Sequence, residues 1–530
     1  AMAGHVMKGE CENGVETGLV GSWEVVSWNL AAINNNPFEY YMAHPNPRYG
    51  ELMIGVESFV SNPGERDAPV HEIFTDAMEQ ELLAIMATTA KWDAEAISET
   101  HDYWVEHLRN RKIMSGFVQD ASLGDKRLLS MPDRATNTLA LADGSTACRP
   151  TVINMYEGEL KDVAGWWGKW RKWFFEESLL LEGAAKAKAP FELLRPIQAA
   201  KYPAIEPHEE KISVPLQALC QAIFDAVMVH MINEVSPDFG WHPLKLEICK
   251  ALSVNKVPRT VDILERQYPD AAFIALQEVG SRMWAALRRS ALAKTHFLCE
   301  PLDKKAFERD QASLLMLRRD AFDVSSVSDV THLVLGHLKN KKLLAPGDLY
   351  AATVVPRGGG TARRSTVVVA SFHGDTDGLA SIPIVEAVSA VAKELGLPLL
   401  FALDANCYTD DRAKPGSKLG WRPFIAAADE LGLETCHDLS QGKEPPLSVY
   451  NARTYLQPQV QKAVPYSDQK TSKKTDRNPK DYVLVSRGTF RASNTGLDNT
   501  GNRIYDDAPF PTLSFPSDHG ILRTTVEYVD

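Results

Sequence analysis

The chain has 530 residues, of which 44% are hydrophobic and 24% charged, with a net charge of −12 and a pI near 5.7. That composition is ordinary for a soluble globular protein, no repeat or low-complexity tract is evident, and the length exceeds the usual single-domain range and allows a large core. An acidic surface is not a general magnet for nucleic acid, although a local basic stripe could still bind it.

Read in order, short apolar runs end on polar residues able to do chemistry. Trp23 to Trp28 runs into Asn29. A proline-rich lead-in follows (Pro37, Pro45, Pro47, Pro63, Pro69), with a charged loop at Glu65-Arg66-Asp67. Three-and-four apolar spacing then predicts helices over Ile73 to Met86, Ala94 to Leu108, Asp162 to Leu181 and Val214 to Val235, and Pro190 to Pro215 reads as a connector. The stretch Trp166 to Phe175 is dense in aromatics interleaved with Lys169, Arg171 and Lys172. It could stack bases or sugars or meet a membrane interface, but rings at helical spacing are most often core.

A helix over Pro258 to Tyr268 precedes Ala271 to Leu276, which ends in Gln277-Glu278, and a helix over Ser281 to Leu292 follows. Thr366 to Phe372 leads into His373, and Leu399 to Leu403 into Asp404-Ala405-Asn406. A polar loop, Gln457 to Pro479, holds Lys462, Lys470, Lys473, Lys474 and Arg477 and is followed by Lys480. Asp481 opens Tyr482 to Val485, and Ser517-Asp518-His519 precedes Ile521 to Val526. Runs of this kind read as buried strands whose ends line one edge of a sheet. A carboxylate there can hold a hard divalent cation, a histidine can exchange a proton near neutral pH, and an amide can hold a phosphoryl oxygen. A histidine that must keep one tautomer needs a carboxylate on its other nitrogen, and Asp481 is the candidate for His519.

Each residue also has a plainer reading. Asn29 could be a turn residue, Glu278 could favour the start of the following helix, and His373-Gly374-Asp375 could be an ordinary loop. The set, in this order, favours a site.

The set Trp28-Asn29, Gln277-Glu278, Ser371-Phe372-His373, Asp404-Ala405-Asn406, Asp481-Tyr482 and Ser517-Asp518-His519, with Ser313 to Phe322 as the strand after the glutamate, resembles the endonuclease/exonuclease/phosphatase (DNase I-like) superfamily over about half the chain. The ending Phe515-Pro516-Ser517-Asp518-His519 is slightly closer to the CCR4-type deadenylase-like branch. The resemblance implies an α/β fold, a four-layer α/β/β/α sandwich of two packed mixed sheets. It also implies Mg2+ (or Mn2+) bound by Glu278 with Asn29 nearby and Asp518 supporting the metal shell. His519 would be the general base or a phosphate contact, oriented by Asp481. Asp404 would position or activate the attacking water, Asn406 would hold the phosphate, and His373 would stabilise developing negative charge. Three departures stand out. Ala31 follows Leu30 where some family nucleases carry a second acid, Leu403 replaces a glycine, and Asn478-Pro479-Lys480 precedes Asp481 in place of a tryptophan-cysteine signature.

Between Asn29 and Glu278 the resemblance expects a strand, a helix and a turn, which need only about tens of residues. The real separation is far longer, so the expected organisation is a catalytic domain over 20–35 and 256–530, interrupted by a mainly helical insertion over 36–255. Because that insertion leaves and re-enters beside the end bearing Asn29, it is expected at the mouth of the site.

The seven cysteines, Cys11, Cys148, Cys220, Cys249, Cys299, Cys407 and Cys436, show no CxxC pair or zinc-type spacing and read as free thiols in a reducing compartment, with Cys407 a packing residue. No signal-like apolar stretch and no run of about eighteen apolar residues is present. The expectation is therefore an intracellular, cytoplasmic protein without stable membrane insertion, a removed targeting segment being left open. Arg357, Arg363, Arg364 and the lysine loop could supply a basic stripe near the phosphate site, or simply be solvated.

Three functions fit: a metal-dependent phosphodiesterase or nuclease acting on nucleic acid or oligonucleotide, favoured; a phosphatase or pyrophosphatase on a small phosphorylated molecule such as a nucleotide or inositol phosphate; or a binding scaffold that kept the fold and lost catalysis. Intact Glu278, His373, Asp404 and His519 speak against the third.

Overall fold

The computed structural model describes residues 22–302, 304–307, 309, 311–357 and 366–529. Cys11 and most of the glycine-arginine stretch after Arg357, including Arg363 and Arg364, lie outside them.

The strands are β1 (Ser22–Asn29), β2 (Thr138–Ala140), β3 (Thr146–Cys148), β4 (Phe273–Val279), β5 (His296–Cys299), β6 (Ala312–Arg318), β7 (Phe322–Asp329), β8 (Leu349–Pro356), β9 (Val367–His373), β10 (Leu399–Asp404), β11 (Leu433–Thr435), β12 (Val449–Asn451), β13 (Asp476–Asn478), β14 (Asp481–Ser486), β15 (Phe490–Asp498) and β16 (Ile521–Tyr528). Two six-stranded sheets carry the core, in the orders β15-β16-β1-β4-β6-β5 and β11-β14-β10-β9-β8-β7. Each has one parallel pair at its centre, β1 with β4 and β9 with β10, flanked by antiparallel neighbours.

Side chains alternate across a strand, so each central strand feeds two apolar layers. Val25, Phe273, Leu315, Val369, Leu400, Val483 and Leu522 meet between the sheets. The opposite face of the first sheet packs Val26, Ile274 and Leu314 on Ile263, Leu264, Met283 and Leu287 of the helices Lys256–Gln267 and Ser281–Arg289. The opposite face of the second packs Val368, Phe401 and Leu484 on Ile384, Val388 and Phe424 of Ser381–Leu395 and Trp421–Glu430. The expected four-layer α/β/β/α sandwich of two mixed sheets is the observed architecture.

The residues between β1 and β4 are mainly helical and build a hydrophobic cluster of their own around the helix Ser213–Val235. The expected helices are present with shifted ends. Thr75 caps Asp76–Thr88, its side chain accepting from Met78 N, and Asp162 caps Val163–Phe175 by accepting from Gly165 N. Trp166, Trp167, Trp170, Trp173, Phe174 and Phe175 are all buried, so the aromatic stretch is core. Ser213–Val235 is long and apolar enough to cross a membrane, but it is the central helix of this cluster, 94% of its most apolar window being buried in protein.

Within that cluster Arg149 and Asp225 are both fully buried and paired at 2.7 Å. Thr151 Oγ1 and Trp170 Nε1 donate to Asp225, and Arg149 also donates to Thr136 and Asp133. Removing one partner leaves a buried charge alone, so Arg149→Leu is expected to destabilise this segment by about 3–5 kcal/mol. A urea midpoint equal to wild type would show that the network contributes nothing.

Candidate active site

The registers of the sheets assemble the site. Asn29 lies opposite Gln277 across the parallel β1–β4 pair, His373 opposite Asp404 across β9–β10, and Asp404 opposite Asp481 across β10–β14. The carboxyl ends of both parallel pairs thus open on the same side of the sandwich.

Local backbone aims two of these residues. A register shift in the β4–β6 pairing falls between Leu276 and Val279, and within it Glu278 takes φ +54°, a left-handed conformation rare for a glutamate. Such a bulge turns a side chain off the sheet's ordinary alternation. Asn406 takes φ +50°, while its backbone N–H donates to Asp404 Oδ1. The neighbouring turn needs glycine at Gly378, where φ is +74° and a Cβ would stand 2.7 Å from Asn406 O.

Asp404 is the hub. Its Oδ2 lies 2.9 Å from Asn29 Nδ2, 3.6 Å from His519 Nε2 and 3.7 Å from His373 Nε2. Asn29 Nδ2 also donates to Glu278 Oε1 at 3.0 Å, and Ala32 N donates to Glu278 Oε2 at 2.6 Å. His373 Nε2 stands 3.5 Å from Glu278 Oε1. On the far side of His519, Nδ1 meets Asp481 Oδ2 at 2.9 Å, and Ser448 Oγ donates to the same oxygen. Ser517 Oγ donates to Asn29 O and accepts from His519 N, tying the last motif to the first.

Charge is balanced within the cluster. Burial would raise Glu278, yet the His373 charge, the Ala32 N–H and Asn29 hold its carboxyl below the ordinary value. Burial opposes ionisation of Asp404 in the same way, and His519, His373 and Lys480 outweigh it. Burial alone would lower His519, but Asp481 and Asp404 raise it to about 10. Asp481 itself is raised by its burial, with Oδ1 unpartnered among the described residues.

The sequence-derived residues Asn29, Glu278, His373, Asp404, Asp481 and His519 form one contact cluster. Asn406 and Asp518 line the same cleft of ≈ 990 Å³, where Asp518 Oδ2 accepts from Asn451 Nδ2 at 3.3 Å. The donor set suits a hard divalent cation: Glu278 and Asp518 offer carboxylate oxygens, with no thiolate in the lining. Asn29 does not offer an oxygen as placed, because its Oδ1 accepts from Ala31 N and its nitrogen faces the carboxylates. In this arrangement it bridges Glu278 and Asp404. Asp404, Asp481 and His519 also present ligand atoms within 4.8 Å of one another. Since Asp481 Oδ2 is already held by Ser448 and His519, that trio is better read as a carboxylate–imidazole chain than as a metal cage.

Several lining residues carried no signal in the sequence. Lys256, at the start of its helix, is buried, donates to Pro516 O at 2.7 Å and is pulled down to about 8 by burial, against the charges of Asp518 and Glu278. Lys480, which the sequence left open as part of a basic stripe near the site or as solvated, lines the cleft, is buried and pairs with Asp476 at 2.9 Å. Tyr40, Arg134 and Leu252 come from the long segment between β1 and β4 and stand in the same lining as Glu278 and His519.

A family model described as "Domain of unknown function (DUF8234)" matches residues 67–246, less than half of the chain and entirely within that segment. No curated protein matches the chain. Solved structures similar to it come from the superfamily to which the motifs point. Danio rerio TDP2, complexed with single-strand DNA product, shares 12% identity over 52% of this chain and 95% of its own, at a TM-score of 0.34. The human Nocturnin catalytic domain shares 14% identity over 51% and 86%, at 0.32. An endonuclease/exonuclease/phosphatase family protein from Bacteroides thetaiotaomicron shares 14% over 52% and 89%, at 0.33. At such identities and scores, the chemistry has to be read from this chain's own residues.

Proposed function

We propose that the chain is a divalent-metal-dependent hydrolase of phosphate esters, acting as a phosphodiesterase on nucleic acid or oligonucleotide. The observation that carries this reading is the convergence of Asn29, His373 and His519 on one carboxylate oxygen of Asp404, with Glu278 alongside. A cation bound through Glu278 and Asp518, Mg2+ or Mn2+, would polarise the phosphoryl group.

The chain's own groups supply the remainder. Asn29 and the Asn406 N–H fix both oxygens of Asp404, which leaves Oδ2 facing the two imidazoles, where a water can be oriented. Asp481 fixes the His519 ring through Nδ1, so that Nε2 is presented to Asp404 and the cleft to exchange a proton. His373 stands against Glu278 and Asp404, where it can donate to a phosphoryl oxygen as negative charge develops.

A second reading, a phosphatase or pyrophosphatase on a small phosphorylated molecule, is favoured by one observation. The cleft, at ≈ 990 Å³, is at the upper end of the roughly 300–1,000 Å³ common for small-ligand pockets and is partly walled by Tyr40, Arg134 and Leu252. On either reading, residues 36–255 form an inserted unit that limits access. A panel of DNA, RNA, short oligonucleotides, nucleotides and inositol phosphates, each with Mg2+, Mn2+ or EDTA, separates the two. Turnover of polymers supports the first, turnover of small esters alone the second, and no metal-dependent turnover of any member removes both.

A further inference from the structure

Part of the cleft lining gathers cations contributed by two separate segments of the chain. Arg134, from the helix Ser130–Thr136, and Arg453 and Lys474, from the loops beside β12 and β13, line the cleft together. Lys462, exposed and outside that lining, is lowered by partial burial and by the charges of Arg453, Arg127 and Arg134, which places those three cations within electrostatic reach of it. Ala452, Leu456, Val460 and Val464 are buried in the helical cluster, so this loop is packed against the segment that carries Arg127 and Arg134.

Of the nearby acids, Asp518 and Asp476 both act on Arg453, and two are ion-paired with other residues. Asp133 is paired with Arg149, and Asp476 with Lys480. Only Arg453 has a carboxylate partner, Glu39. Among the described residues Arg127, Arg134, Lys462 and Lys474 have no ion-pair partner, and the buried Nε of Arg127 has no hydrogen-bond partner. Aromatic faces stand among these cations: the Arg453 guanidinium lies 5.1 Å from the Tyr40 ring and that of Arg127 5.6 Å from Tyr202. Bringing like charges together is unfavourable unless an anion joins them, and guanidinium groups are suited to phosphate.

Resting on the phosphoester reading of the cleft, we infer that Arg134, Arg453 and Lys474, with Lys462 and Arg127 beside them, form a second anion subsite that holds a phosphate group other than the one under attack. The substrate therefore carries at least two phosphates. They can be successive backbone phosphates of a single nucleic-acid strand or two groups on one small polyphosphorylated molecule. Neither half of the subsite is complete alone, since Arg127 and Arg134 come from the segment between β1 and β4 and the others from the loop before β14.

The test is equilibrium binding, without turnover, by the full chain in EDTA. A labelled single-stranded oligonucleotide and inorganic tripolyphosphate are titrated into wild type, Arg134→Gln/Lys462→Gln, and Lys393→Gln, a control on the outer helix Ser381–Leu395. The double variant is expected to lose about ten-fold in affinity and, for the oligonucleotide, to lower the salt slope by about 1.4, while the control matches wild type. Loss for the oligonucleotide alone supports the subsite and assigns it to a nucleic-acid backbone. Loss for tripolyphosphate, with or without the oligonucleotide, supports it as a site for clustered phosphates. Equal affinities in wild type and double variant, or an equal loss in the control, overturn it. Because no turnover is read, failure of the hydrolase reading would appear in the substrate panel and leave this result separate.

Discussion

Glu278→Gln is expected to abolish metal-dependent turnover while leaving the melting temperature in EDTA close to wild type. The amide keeps the size, and its one oxygen keeps one of the two hydrogen bonds that Ala32 N–H and Asn29 Nδ2 make to separate oxygens of Glu278, so the bulge that holds residue 278 should persist. What is lost is the negative charge that a divalent cation needs, and loss of metal activation costs several kcal/mol of transition-state stabilisation, roughly a hundred-fold or more in rate. A variant that keeps wild-type turnover would take Glu278 out of the site. One that unfolds would make the residue a structural part of the Asn29–Asp404 network instead.

His519→Ala and His373→Ala are each expected to lower turnover by about a hundred to ten thousand-fold, the contribution of a positioned acid–base group. Asp481→Asn should be milder. The amide keeps an oxygen for Ser448 and a contact to His519 Nδ1, but it no longer fixes the ring's tautomer or its charge. The order of losses therefore carries the information: the two alanine variants first, Asp481→Asn after them, with substrate affinity changing less than turnover. Small and equal losses in all three would point to a scaffold that kept the fold without the chemistry.

The strand ends were legible because each apolar run stops at, or starts from, a residue of the site. Leu399 to Leu403 must be buried and Asp404 must not be left unpaired, so the change of chemistry marks the sheet edge in the sequence itself. The sandwich itself was implied by the resemblance of the motif set to the superfamily, and it agrees with central strands that are apolar throughout and need cover on both faces. What the cleft draws from the rest of the chain was not legible. Tyr40 and Arg134 reach it through packing among helices, and nothing in their neighbouring residues records that contact. Lys480 belonged to a lysine run that could equally be a basic stripe near the site or solvated. Only the fold shows it buried against Asp476, as a positive charge that helps keep Asp404 ionised. The aim of Glu278 depends on a left-handed residue inside a bulge, a backbone choice that glutamate does not advertise. Helix ends shifted for local reasons, as where Thr75 and Asp162 supplied caps that the apolar spacing alone does not locate.

The most direct measurement of the central claim is the initial rate of hydrolysis of bis(p-nitrophenyl) phosphate, a minimal phosphodiester that needs neither base recognition nor the cationic lining, by wild type and Glu278→Gln in Mg2+ and in EDTA. The arrangement around Asp404 predicts a rate for wild type in Mg2+ that falls to background in EDTA, returns when Mg2+ is restored, and is at background for Glu278→Gln in both. A rate that survives EDTA, or one that Glu278→Gln retains in full, would contradict a metal-dependent phosphoesterase built on this cluster.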